Sequence, residues 1–94
     1  MGKHQPRTGD MNMTFALLAC FNSPTVPLRE ICKEYLGIEP KTAEQKAKAA
    51  ALPFPTFKLR DSERAPTMVN VTDLGAYLQS RYDQARDEWQ HVND

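Results

Sequence analysis

An apolar helical stripe, a four-residue connection to a second helix, and a hairpin pattern followed by one long helix predict an α+β chain, mainly α. Their order predicts a winged helix-turn-helix: a short N-terminal strand or helix, two helices joined by a tight turn, a β-hairpin wing and a long C-terminal helix. With 94 residues, 40% of them hydrophobic, there is material for one modest core. Residues 1–12 read as a flexible tail and residues 13–94 as the single domain.

The tail mixes Gly, Pro, Lys, Arg and Asp without periodicity. It lacks the apolar stretch of a secretion signal. The longest apolar run, FALLACF at residues 15–21, falls far short of the roughly 18 residues that cross a bilayer. The expectation is a cytoplasmic protein with no membrane partner. Periodicity does not choose between strand and helix for residues 14–21, and a short buried strand is favoured. Asn22, Ser23 and Pro24 then end the run with turn chemistry.

The clearest helix follows. Pro27 suits a first helical position, and Leu28, Ile31, Cys32, Tyr35 and Leu36 recur as one apolar stripe. Gly37 supplies the left-handed residue that closes it. After a connection through residues 38–41, Thr42 and Gln45 are spaced as a capping box for a second helix over residues 42–52. Ala43, Ala47, Ala50 and Ala51 are its expected buried face, small enough for close approach to the first helix. Pro53 stops it.

Residues 56–59 alternate, with Phe57 and Leu59 on the inward face and Thr56, Lys58 and Arg60 outward. A polar loop at residues 61–66 leads to a returning strand with Met68, Val69 and Val71. Thr72 is the expected cap of the last helix, with Asp73 in its first turn. Leu74, Tyr77, Leu78, Tyr82, Ala85, Trp89 and Val92 mark its apolar side. That helix outruns a two-helix core, so its distal part is expected on the N-terminal run or on a second subunit. Tyr82 and Trp89 are the candidate contacts in a homodimer or with another partner.

Formal net charge is zero, but the charges are segregated. Residues 41–60 hold five cationic side chains against one acidic, a net of +4, and residues 61–94 hold three against seven, a net of −4. A cationic second helix beside a cationic hairpin points to double-stranded DNA as partner. Lys41, Thr42, Gln45, Lys46 and Lys48 are the candidate groove contacts, since Gln can bond adenine and Lys can reach guanine or phosphate. Lys58, Arg60 and Arg64 are the candidate wing contacts to phosphates. The competing reading of the same helix is a solvated surface with a Glu44–Lys48 pair.

Catalysis finds no support: there is no Gly-rich phosphate loop, no Cys–His pairing and no metal-ligand spacing. Cys20 and Cys32 are too few for a disulfide framework, and Cys32 fits a small buried thiol. His4 and His91 stand at opposite ends of the chain. Neither metal nor cofactor is expected.

Residues 15–93 resemble the pyocin activator protein family of small bacterial and prophage transcription activators. The resemblance is carried by FALLACF, TVPLREICKEYLGI, the small-residue helix running into LPFPTFKL, and VTDLGAYL with the polar helix behind it. The middle of the chain is also similar to phage excisionases and related winged-helix regulators. The resemblance implies a regulator that binds promoter DNA and raises expression of phage-tail bacteriocin or prophage genes. RNA polymerase or another regulator is then a further partner. Two alternatives remain open: an excisionase-like architectural protein that bends DNA, and a phage module that captures a host regulator.

Overall fold

Four helices and a three-stranded antiparallel sheet make up residues 13–93, the part that the computed structural model describes. In chain order these are α1 (Met13–Phe21), β1 (Thr25–Pro27), α2 (Leu28–Ile31), α3 (Pro40–Lys48), β2 (Thr56–Lys58), β3 (Thr67–Asn70) and α4 (Val71–Asn93). A π-helical turn, Cys32–Leu36, continues α2. The chain is thus α+β and mainly α, as the sequence predicts. The expected tail lies outside the described residues.

The N-terminal apolar run is a helix, not the favoured strand. It lies against α4, where no strand offers pairing partners, and a helix satisfies its own backbone there. Leu17 is buried in the core, and Leu18 and Phe21 pack against it. Pro27 is extended at the N-cap of α2 and pairs with Met68, so it ends a strand instead of occupying the first helical turn.

Leu28, Ile31 and Cys32 are fully buried, and Tyr35 and Leu36 border them. The Cys32 thiol donates to the Arg29 carbonyl at 3.7 Å. Gly37 takes the left-handed conformation at φ 70° and closes the π turn by donating its N–H to the Cys32 carbonyl.

Helix α3 begins two residues earlier than expected. Pro40 occupies its first turn behind an extended Glu39, so Thr42 is inside the helix and does not cap it. A first-turn proline loses no hydrogen bond, and its fixed φ favours starting there. The helix also ends sooner, at Lys48. Ala50 turns left-handed at φ 53°. Its N–H reaches the Ala47 carbonyl at 3.1 Å, and that of Ala51 reaches Lys46 at 2.8 Å, a Schellman closure. Ala43 is fully buried and Ala47 half-buried as expected, but Ala50 and Ala51 lie beyond the helix and are exposed.

The sheet order is β1-β3-β2, with β3 central. Thr56 pairs with Val69, Phe57 with Met68 and Lys58 with Thr67. Paired residues in an antiparallel sheet share a face. Thr56 and Lys58 therefore stand on the face of Val69 and Thr67, and Phe57 stands with Met68 on the other. The expected inward face of this strand is reversed: Phe57 is 39% exposed and Leu59, beyond the strand, 68%. One residue of register decides which set faces the helices.

Asn70 Oδ1 accepts from the Thr72 N–H at 2.7 Å and caps α4, so the cap lies two residues before the expected Thr72. Val71 enters the helix and donates its N–H to the Pro24 carbonyl. Leu74 is fully buried, and Tyr77 meets Phe54 edge-to-face at a centroid distance of 5.8 Å. Gly75 allows the closest approach of α1: a Cβ there would stand 2.5 Å from Thr14 Oγ1 and 3.0 Å from Thr14 N.

Two stability outcomes follow from these positions. Gly75→Val forces α1 away from α4 and lowers unfolding free energy by about 1–3 kcal/mol, the range for overpacking. Ala50→Gly relieves a left-handed alanine and raises it by up to about 1 kcal/mol. Urea titration followed by far-UV circular dichroism measures both.

Candidate nucleic-acid interface

Helix α3 has one face against the core and one facing outward. Ala43 anchors the inner face, with Glu44 and Ala47 half-buried beside it. At 100° per residue the opposite face centres on Gln45 and carries Lys41 and Lys48 in the same i, i+4, i+7 row. Thr42 and Ala49 flank the row, and Lys46 stands on its shoulder. Lys41, Thr42, Gln45, Lys46 and Lys48 are all exposed. Lys46 and Lys48 also complete the last turn of the helix, where cations complement the helix dipole.

The hairpin is attached to this helix by a contact that sequence reading missed. Thr67 Oγ1 donates to Glu44 Oε1 at 2.7 Å, and Thr67 is 6% exposed. Glu44 is thereby turned to the sheet and does not serve as the surface partner of Lys48 that the competing reading of this helix supposes. Lys41 and Lys48 are its i−3 and i+4 neighbours, so they project on the hairpin side of α3. The one signal in the sequence is that Glu44 is the lone acid in the +4 segment.

Lys58 stands opposite Thr67 on the same sheet face. Its ammonium donates to the carbonyls of Ser62 and Glu63, each at 3.3 Å, and so folds the loop back over β2. Two of its three donors are engaged, leaving one for another acceptor. Ser62 organises the same loop: its Oγ accepts from the Arg64 N–H and its carbonyl from the Ala65 N–H, and Ala65 is buried. Arg60 and Arg64 are exposed on this ordered tip, with the acidic side chains of Asp61 and Glu63 exposed among them.

Tyr82 and Trp89 stand apart from this surface. Tyr82 is 42% and Trp89 65% exposed on the distal half of α4, where every residue from Ser80 to Asn93 is exposed. Tyr35, in the π-helical turn, borders the core. Burial first, then the charge of Glu34 and the thiol of Cys20, raise its phenol above the ordinary value. That direction keeps the phenol protonated. Among the described residues no group of His, Cys, Asp and Glu is arranged to hold a metal ion, and no helix is long and apolar enough to cross a membrane.

Residues 14–85 match the family described as Pyocin activator protein PrtN. The chain belongs to the pyocin activator protein family. The match runs from the first turn of α1 through both central helices and the hairpin into α4, so it spans the whole packed body. It ends before Trp89. No curated relative and no solved structure matches the chain.

In this family member, the bond between α3 and the hairpin has a measurable role. Glu44→Ala leaves the buried Thr67 hydroxyl without its acceptor and costs about 1–3 kcal/mol of stability. Thr67→Val replaces the donor with an isosteric methyl, and its cost should be smaller. Equal, negligible effects of both substitutions in urea titration would show that the bond does not hold the two elements together.

Proposed function

We propose that this member of the pyocin activator family is a DNA-binding transcription activator of bacteriocin or prophage genes. In this reading α2 and α3 act as the helix-turn-helix and β2–β3 as the wing. The observation that carries the reading is the outward row Lys41–Gln45–Lys48 on α3, exposed and turned to the side of the hairpin. Helix α3 enters the major groove, with Gln45 at its apex positioned for base edges and Lys41, Lys46 and Lys48 for guanine or phosphate. Arg60 and Arg64 meet flanking phosphates, and Lys58 chiefly orders the tip that presents them.

The electrostatics suit a weak anchor on each copy. Each neutralised phosphate contributes about 0.9 to the dependence of log affinity on log salt. A handful of cations therefore gives salt-sensitive binding that two adjacent copies would strengthen. The acidic, exposed surface of α4, with Asp83, Asp87 and Glu88, is left for RNA polymerase or another regulator.

Footprinting on the flanking genome at two salt concentrations tests the reading. The expected result is a discrete protected site upstream of a promoter, with activation in a reporter. Lys46→Ala combined with Lys48→Ala abolishes the footprint and leaves the circular dichroism spectrum unchanged. Gln45→Ala instead relaxes base preference with little change in salt slope. Absence of salt-dependent DNA binding would overturn the proposal, and bending of tandem sites without activation would replace it with the architectural alternative.

A further inference from the structure

Helix α4 carries an apolar seam that continues beyond the packed body. Val71, Gly75, Leu78, Tyr82, Ala85, Trp89 and Val92 follow one another at alternating steps of four and three residues. This is a 3.5-residue repeat, the period of a helix that pairs lengthwise with another helix. The first part of the seam is occupied within the chain. Val71 is fully buried, Gly75 lies against Thr14 of α1, and Leu78 borders the core. Past Leu78 the same seam is exposed: Tyr82 at 42%, Trp89 at 65% and Val92 at 80%. The positions between, Asp83, Gln84, Asp87, Gln90 and His91, are polar and exposed.

The charges beside the seam select both the occupant and its direction. Counting Tyr82 and Trp89 as the a positions of a heptad, Arg81 and Glu88 are the g positions and Arg86 is an e position. Two parallel copies would bring Arg81 of one helix against Arg86 of the other, a repulsive pair. Two antiparallel copies can bring Arg81 of each against Glu88 of the other, two attractive pairs related by a two-fold axis. In that register Tyr82 faces the partner's Ala85, and Trp89 faces the partner's Leu78. Each large side chain meets a smaller one, as close packing of facing layers requires.

We infer that the distal half of α4 is a self-complementary surface on which a second copy of this chain docks antiparallel, with Arg81 facing Glu88 of the partner subunit, the Tyr82 and Ala85 layers at the two-fold centre, and Trp89 packed on the partner's Leu78 to either side. The partner helix takes over the seam where α1 leaves it. This pairing rests on the periodicity and charge of α4 and does not depend on DNA binding. It fixes the relative orientation of two α3 helices through a closed, isologous interface.

Sedimentation equilibrium of the full chain, from micromolar to millimolar concentration, tests the inference. The expected result is a reversible monomer–dimer equilibrium in the absence of DNA. Trp89→Ala should weaken it about thirtyfold or more, the scale of a buried aromatic contact that the two-fold makes twice. Arg81→Glu and Glu88→Arg should each weaken it about tenfold, as two attractive pairs become repulsive. The double substitution Arg81→Glu with Glu88→Arg should restore wild-type dimerisation. All three side chains altered are exposed, so an unchanged circular dichroism spectrum is expected throughout. A chain that stays monomeric to millimolar concentration overturns the inference. So does a dimer strengthened by Arg81→Glu, which would mark a parallel pair, or one indifferent to both charge substitutions.

Discussion

The pairing of β3 on both sides is the constraint on which the structure depends. Thr67, Met68 and Val69 are buried in succession, which a strand tolerates only when its backbone groups find partners on each edge. β1 and β2 supply those partners. The two ends of β3 then set the positions of the neighbouring helices. Thr67 holds α3 through Glu44, and Asn70 starts α4 through its cap on Thr72. Val69, fully buried between them, closes the core with Leu28, Ile31 and Leu74. A four-residue strand thus orients both the helix that carries the cationic row and the helix that leaves the body.

Helix α3 is short, and little of it is buried. Its inner face rests on alanine and a half-buried carboxylate, so its hold on the body comes from close approach to α2 and one hydrogen bond to the sheet. That economy leaves five of its polar side chains, with all three of its lysines, in solvent. The balancing acids lie on α4 and at the hairpin tip, and they leave the outward row of α3 without an acidic residue. A chain of zero net charge can in this way present a cationic surface.

The hairpin tip is more ordered than its polar composition suggests. Lys58 and Ser62 tie its backbone together, and Ala65 is buried beneath it. Helix α4 is the opposite case. Its first half is covered by α1 and the core, and its second half continues the same seam with nothing from the described chain upon it. Both features bear on how a small domain offers separate surfaces at its two ends.

Local chemistry legible in the sequence accounts for much of this protein. The stripe through Leu28, Ile31 and Cys32, the left-handed Gly37, the burial of Ala43 and the length of α4 follow from periodicity and from the conformational limits of single residues. The exposure of Lys41, Gln45 and Lys48 follows from the same helical period. The tertiary structure decided the rest. It turned the N-terminal run into a helix because α4 offers packing and no strand edge. It put Thr56 and Lys58, and not Phe57, on the helix side, because register along β3 is a long-range choice. It joined Glu44 to Thr67 across 23 residues of sequence. A pattern along the chain reports which side of an element is apolar; only the assembled neighbours determine what that side meets.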